Sequence, residues 1–140
     1  IADVGQLLDA LTAVLAPGGL LSLVSVNRYS APYGAAFLHQ DLERAYASLD
    51  SDMQLGYIFD TAMRLFTAEE IGALLRERGF AEPHHYGVRC LCDYWGTTEQ
   101  KQQPAVMAQL ERLERRLADR HPYKLLARYF HLLARRGAAS

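Results

Sequence analysis

The sequence predicts an α/β fold, and three observations carry that expectation. A helical pattern near the start runs through Pro17-Gly18-Gly19 into the short apolar stretch Leu20-Leu21-Ser22-Leu23-Val24-Ser25-Val26. A second helix is bracketed by the capping box Thr67-Ala68-Glu69-Glu70 and by a glycine stop at Gly79. Two more strand-like stretches follow, separated by a further amphipathic helix.

Taken in order, Asp3 is placed to cap a helix whose apolar positions Leu7, Leu8, Leu11, Val14 and Leu15 keep the 3.6-residue period. Leu20 to Val26 is apolar at nearly every position, the pattern of a strand buried on both faces of a parallel sheet. Such a strand is costly as a bare edge, so something should pair with it. Polarity returns at Asn27, and loops at the carboxyl ends of strands in open α/β sheets are where ligands bind; residues 27–33 are therefore a candidate site lip. Tyr33 to Leu49 reads as one amphipathic helix with Phe37, Leu38, Leu42, Ala45, Tyr46 and Leu49 facing inward. Asp50 to Asp60 reads as loop, and Arg64-Leu65-Phe66 as a short extended piece. Phe66 and Ile71 flank the capping box as a hydrophobic staple, and its helix runs to Arg78. Within Phe80 to Tyr94 the most strand-like part is Tyr86 to Cys92. Pro104 opens a helix with Val106, Leu110, Leu113 and Leu117 on one stripe and Arg112, Arg115 and Arg116 outside. A last strand spans roughly Leu126 to Arg135.

Composition excludes several function classes. The 140 residues are 50% hydrophobic and 22% charged, which argues against disorder, and the longest apolar run, Gly19 to Val26, is far too short to cross a membrane. The two cysteines, Cys90 and Cys92, cannot build a disulfide framework; on one strand they would share a face as reduced thiols, as in a cytoplasmic protein. The start, Ile1-Ala2-Asp3, is not that of a signal peptide and reads as a chain entered partway through. The formal net charge of −1 hides an asymmetry: residues 1–100 carry 6 Lys/Arg against 13 Asp/Glu, a balance of −7, and residues 101–140 carry 9 against 3, a balance of +6.

Leu7 to Val26, with its Leu-Ala-Pro-Gly-Gly-Leu-Leu-Ser-Leu centre, resembles the helix and fifth strand of class I S-adenosylmethionine-dependent methyltransferases. Tyr86-Gly87-Val88-Arg89-Cys90-Leu91-Cys92-Asp93-Tyr94-Trp95 and Pro122 to Arg135, together with Asn27, are similar to the tRNA 5-carboxymethoxyuridine methyltransferase branch of that family. The resemblance implies a Rossmann-like fold of which residues 1–135 are the C-terminal half: a fifth strand plus antiparallel sixth and seventh strands, the last inserted between the other two, with residues 136–140 as a tail. It implies S-adenosylmethionine as cofactor of the full-length parent, bound through motifs upstream of residue 1. None of the ten glycines forms a G-x-G pair, so no nucleotide-cradling loop is expected in this chain. The implied partners are a tRNA or small-molecule methyl acceptor, and the missing N-terminal half or another chain along the first strand.

Each candidate residue has two readings. Asn27 is a strand-end cap by its turn chemistry; the resemblance makes it, with Tyr29, the lining of the reacting centre. Arg89, placed within an apolar strand, must be paired with Asp93 or Glu82 or must face a cleft, where its fork would hold a carboxylate or phosphate. Arg64, Tyr94, Tyr123 and Arg128 are further substrate-binding candidates, polar or aromatic groups taken with the matched segments, against the ordinary reading of packed tyrosines and solvated arginines. Cys90, Cys92, His84 and His85 lack zinc-ligand spacing, so no metal is expected. The basic segment 101–136 is either a solvated helix face or a set of phosphate contacts to RNA. A carboxylate acceptor would need no base; a hydroxyl acceptor, as in a sugar or small metabolite, would need one from His39, His84, His85, Asp60 or Asp93. The alternative to an enzyme is a non-catalytic fragment or binding module without the methyl-donor site.

Overall fold

The computed structural model describes residues 3–55 and 61–138. Asp3 caps the first helix, α1 (Val4–Val14), by accepting hydrogen bonds from the Gly5 and Gln6 amides at 2.8 and 3.4 Å. A turn with Gly18 at φ 76° leads into strand β1 (Leu20–Val26). Past Asn27 come a 3-10 turn (Arg28–Ser30), the short α2 (Ala31–Tyr33), a π-helical turn (Gly34–Leu38), α3 (Leu42–Ala47) and another 3-10 turn (Ser48–Asp50). Strands β2 (Met53–Leu55) and β3 (Ala62–Arg64) pair antiparallel. Helix α4 (Ala68–Glu77) is followed by β4 (His84–Val88), α5 (Thr98–Lys101), α6 (Pro104–Leu117), a 3-10 turn (Tyr123–Leu126) and β5 (Tyr129–Arg135).

The main sheet has the order β1-β5-β4, with β5 antiparallel to both neighbours. The last strand thus lies between the other two, the expected order. Phe130, Leu132 and Ala134 point from β5 to the face that α1 and α4 cover with Leu8, Ile71 and Leu75. Helix α4 carries the expected capping box: the Thr67 hydroxyl accepts from the Glu70 amide at 3.2 Å and the Glu70 carboxylate accepts from the Thr67 amide at 2.8 Å. It ends in a Schellman motif, in which the Phe80 amide bonds the Leu75 carbonyl and the Gly79 amide the Arg76 carbonyl, with Gly79 at φ 80°.

Several expectations need correction. Among the described residues β1 lies at the edge of its sheet, and it is buried on one face rather than both, because α1 and α4 lie on one side; Leu20 and Val24 are more than half exposed on the other. Tyr33 to Leu49 is not one helix: the π-helical turn and Gln40 at φ 52° break it, and Phe37, Leu42, Tyr46 and Leu49 face solvent. The stretch expected as loop contains β2, and residues 56–60 of it lie outside the described residues, as does the candidate base Asp60. The strand expected through Cys92 ends at Val88, because Arg89 takes φ 59° and the next three amides turn away to a carboxylate of α6. Cys90 and Cys92 therefore share no strand face. β5 begins at Tyr129 rather than Leu126, whose own segment is a 3-10 turn. Past β5, Arg136 still exchanges backbone bonds with Gly18 and Gly19 at 3.0 and 2.8 Å, so the ladder continues into the segment expected as tail. Among the described residues no helix is long and apolar enough to cross a membrane.

Candidate functional site

At the carboxyl end of β1, the Asn27 side chain is 2% exposed and its amide is fully used. Its Nδ2 donates to the Leu125 and Ala127 carbonyls, both at 2.8 Å, and its Oδ1 accepts from the Tyr29 amide at 3.2 Å. Ser30 donates its hydroxyl to the Asn27 carbonyl at 2.7 Å, and the Arg28 amide bonds the Phe66 carbonyl at 2.9 Å. Asn27 is thus the strand-end cap of the two readings: it aims Tyr29 and keeps no donor for a ligand.

The turn so pinned forms one wall of a cleft of about 610 Å³ bordered by Arg28, Tyr29, Tyr33, Asp50, Asp52 and Leu126. Tyr29 and Tyr33 are 43% and 39% exposed, enough for their phenols to meet a ligand. Arg28 is held by Glu70 at 3.0 Å, at the start of α4, which fixes the direction of its guanidinium. On the far wall Asp52 accepts from Arg64 Nε at 2.8 Å, and the Arg64 guanidinium also lies 5.2 Å above the Phe66 ring. Arg64 thus reaches the cleft only through Asp52.

A second cluster sits behind the first. Asp93, its side chain 9% exposed, lies between the guanidinium of Arg89 and that of Arg128, 3.8 Å from the latter. Arg89 is paired with Asp93 and also borders a separate cleft of about 410 Å³ with Cys92, Lys101, Glu111, Glu114 and Arg115, so it meets both of its readings. Tyr94 stacks obliquely on Phe37 at 5.8 Å, its hydroxyl is buried without a hydrogen-bond partner, and burial pushes its phenol up. Gly87 allows the 3-10 turn to pack over β4; a Cβ there would meet Ala127 Cβ at 2.8 Å and Lys124 Cα at 2.9 Å.

The amides of Cys90, Leu91 and Cys92 all donate to the Glu114 carboxylate at 2.7 Å, a backbone nest filled by the chain's own anion. Burial, then Glu114 and then Cys92, push the Cys90 thiol up to about 12, and burial raises Cys92 as well. Both shifts disfavour the thiolate that a nucleophilic cysteine needs. His84 lies 3.3 Å from Asp119, and His85 has a buried Nε2 without a hydrogen-bond partner. His39 is exposed. Among the described residues no group of three or more His, Cys, Asp and Glu could hold a metal ion.

The candidates thus fall into three places: Asn27, Tyr29 and, through Asp52, Arg64 at the β1 cleft; Arg89, Tyr94 and Arg128 around Asp93; and Tyr123, 53% exposed, beside the arginines of α6. Sequence reasoning included Arg28 in the lip at 27–33 without giving it a role, and passed over Glu114. Arg28 directly follows Asn27, and its place at a strand's carboxyl end was the available signal. Compared with protein-family models and with curated proteins, the chain matches none of them.

Proposed function

We propose that the chain is the acceptor-binding part of an S-adenosylmethionine-dependent methyltransferase whose acceptor is a carboxylate on a modified wobble uridine of tRNA. The observation that carries this reading is the cleft at the carboxyl end of β1, where one fixed guanidinium and two phenols converge. A carboxylate is ionised at pH 7 and is its own nucleophile, so the site needs orientation rather than a base. Arg28, braced by Glu70, holds one carboxylate oxygen; Tyr29 and Tyr33 flank the uracil ring; Asn27 positions Tyr29 through its amide. Arg64 offsets the charge of Asp52, which would otherwise repel the acceptor. Arg89 and Arg128 hold Asp93 and keep the turn after β4 in place.

The donor supplies an electrophilic methyl group when bound, but the described residues do not fit it. The Gly18-Gly19 turn lies at the amino end of β1, with its amides bonded to the Arg136 and Ala16 carbonyls, so it cannot cradle a nucleotide beside the cleft. In this reading other residues hold the donor. The same observation favours the second reading, a binding module with no catalytic step. A hydroxyl acceptor is less well served: the described candidate bases His84, His85, His39 and Asp93 do not border the cleft.

Calorimetric titration with 5-carboxymethoxyuridine, its methyl ester and S-adenosylhomocysteine tests the reading. The acid should bind about ten-fold more tightly than the ester, Arg28→Ala should erase that preference, and S-adenosylhomocysteine should give no heat. Equal affinity for acid and ester would overturn the acceptor assignment, and methyl transfer from S-adenosylmethionine by this chain would overturn the binding-module alternative.

A further inference from the structure

The exposed face of α6 carries positive charge that no ion pair among the described residues neutralises. Arg112 and Arg116 stand one turn apart, Arg120 follows in the turn after the helix, and the three border a shallow groove of about 490 Å³ with Gln109, Leu113 and Tyr123. Every carboxylate of this region is directed elsewhere: Glu111 to Arg115, Glu114 to the nest at Cys90–Cys92, and Asp119 to His84. Among the described residues none of Arg112, Arg116 and Arg120 has an ion-pair partner. The position of Arg116 at a helix C-terminus suits the macrodipole, but that effect fades within one turn and does not account for the other two.

The 3-10 turn Tyr123–Leu126 joins this groove to the β1 cleft. Its first residue borders the arginine groove and its last borders the cleft beside Tyr29 and Tyr33. Arg112 and Arg116, four residues apart, stand about 6 Å apart along the helix axis on one face, so both can contact the backbone of one strand. Tyr123, 53% exposed, adds an aromatic face to the arginine groove at the start of that turn, which suits an unstacked base. An acidic protein segment would also use the arginines; an exposed ring in line with them favours a partner whose bases stack on it.

We propose that Arg112, Arg116, Arg120 and Tyr123 form a track for the sugar–phosphate backbone of a single-stranded or looped RNA, leading over the 3-10 turn to the cleft at β1. The proposal rests on the reading of that cleft as the acceptor site, but the track binds RNA whether or not its base is modified. Fluorescence anisotropy with the full chain and a fluorescein-labelled, unmodified RNA stem-loop, repeated across a salt series, tests it. The double variant Arg112→Ala, Arg116→Ala should weaken binding about ten-fold and make the log–log salt slope shallower by about 1.4, two phosphate contacts at about 0.7 each for a single strand. The matching pair of Lys substitutions should retain the slope. Tyr123→Ala should weaken binding about ten-fold with the slope unchanged, and Arg115→Ala, paired with Glu111, should change neither. Circular dichroism melts of each variant establish that it folds. An unchanged slope in the double alanine variant, equal binding of poly-glutamate, or no RNA binding by the parent chain would overturn the track. Failure of the acceptor reading is seen separately, as equal affinity for acid and ester with the salt slope intact.

Discussion

β5 and the segment from Arg28 to Asp50 are both rich in apolar residues, yet they end in opposite environments. Phe130, Leu132 and Ala134 alternate along β5 and are each at most 2% exposed, while Phe37, Leu42, Tyr46 and Leu49 are 64–73% exposed. The difference lies in what fixes each backbone. β5 is hydrogen-bonded on both sides, by β1 and β4, so its inward face is set and two helices cover it. The other segment has helices of three and six residues interrupted by a π-helical turn, and no second layer among the described residues covers its apolar side. The central strand makes the scaffold, and the loosely packed segment makes a wall of the cleft.

The contrast can be broken or sharpened by substitution. Phe130→Ala, at the centre of the buried face, should cost about 3–5 kcal/mol in a urea unfolding titration. Glu114→Ala removes the acceptor of three amides and should cost about 3 kcal/mol, with the Cys90 thiol becoming more reactive toward iodoacetamide as the turn loosens. His85 gives a pH-dependent effect. Burial, with Lys124 next, lowers its pKa from 6.5, so above pH 6.5 it is neutral in both states. Below that the unfolded chain takes up the proton first, and stability falls as pH falls through the folded value. His85→Asn should flatten this acid limb in thermal melts recorded between about pH 7 and 5. Leu42→Ser, on the uncovered segment, should change stability by less than about 0.5 kcal/mol; a loss as large as that at Phe130 would mean that the segment is packed after all.

Local signals in the sequence were enough for some of this. The capping box at Thr67, the glycine stop at Gly79 and the Asp3 cap are formed by residues within a few positions of one another, and each is where the pattern puts it. The end of β4 was not legible, because the carboxylate that turns residues 90–92 away belongs to Glu114, more than twenty residues along the chain. The single helix expected over Tyr33 to Leu49 failed for a related reason: periodicity identifies an apolar face but not whether anything covers it. At the candidate site, Tyr29 could be placed at a strand's carboxyl end from the sequence. The state of its neighbours could not: the spent amide of Asn27 and the pairing of Arg89 with Asp93 depend on contacts across the fold.

The most direct test of the acceptor site is NMR mapping of backbone amide shifts on addition of 5-carboxymethoxyuridine. The expected result is that Arg28, Tyr29, Tyr33 and Ser51, around the β1 cleft, shift most and lose their response in Arg28→Ala. Shifts concentrated instead at Arg89, Cys92, Lys101 and Arg115, around the second cleft, would contradict it.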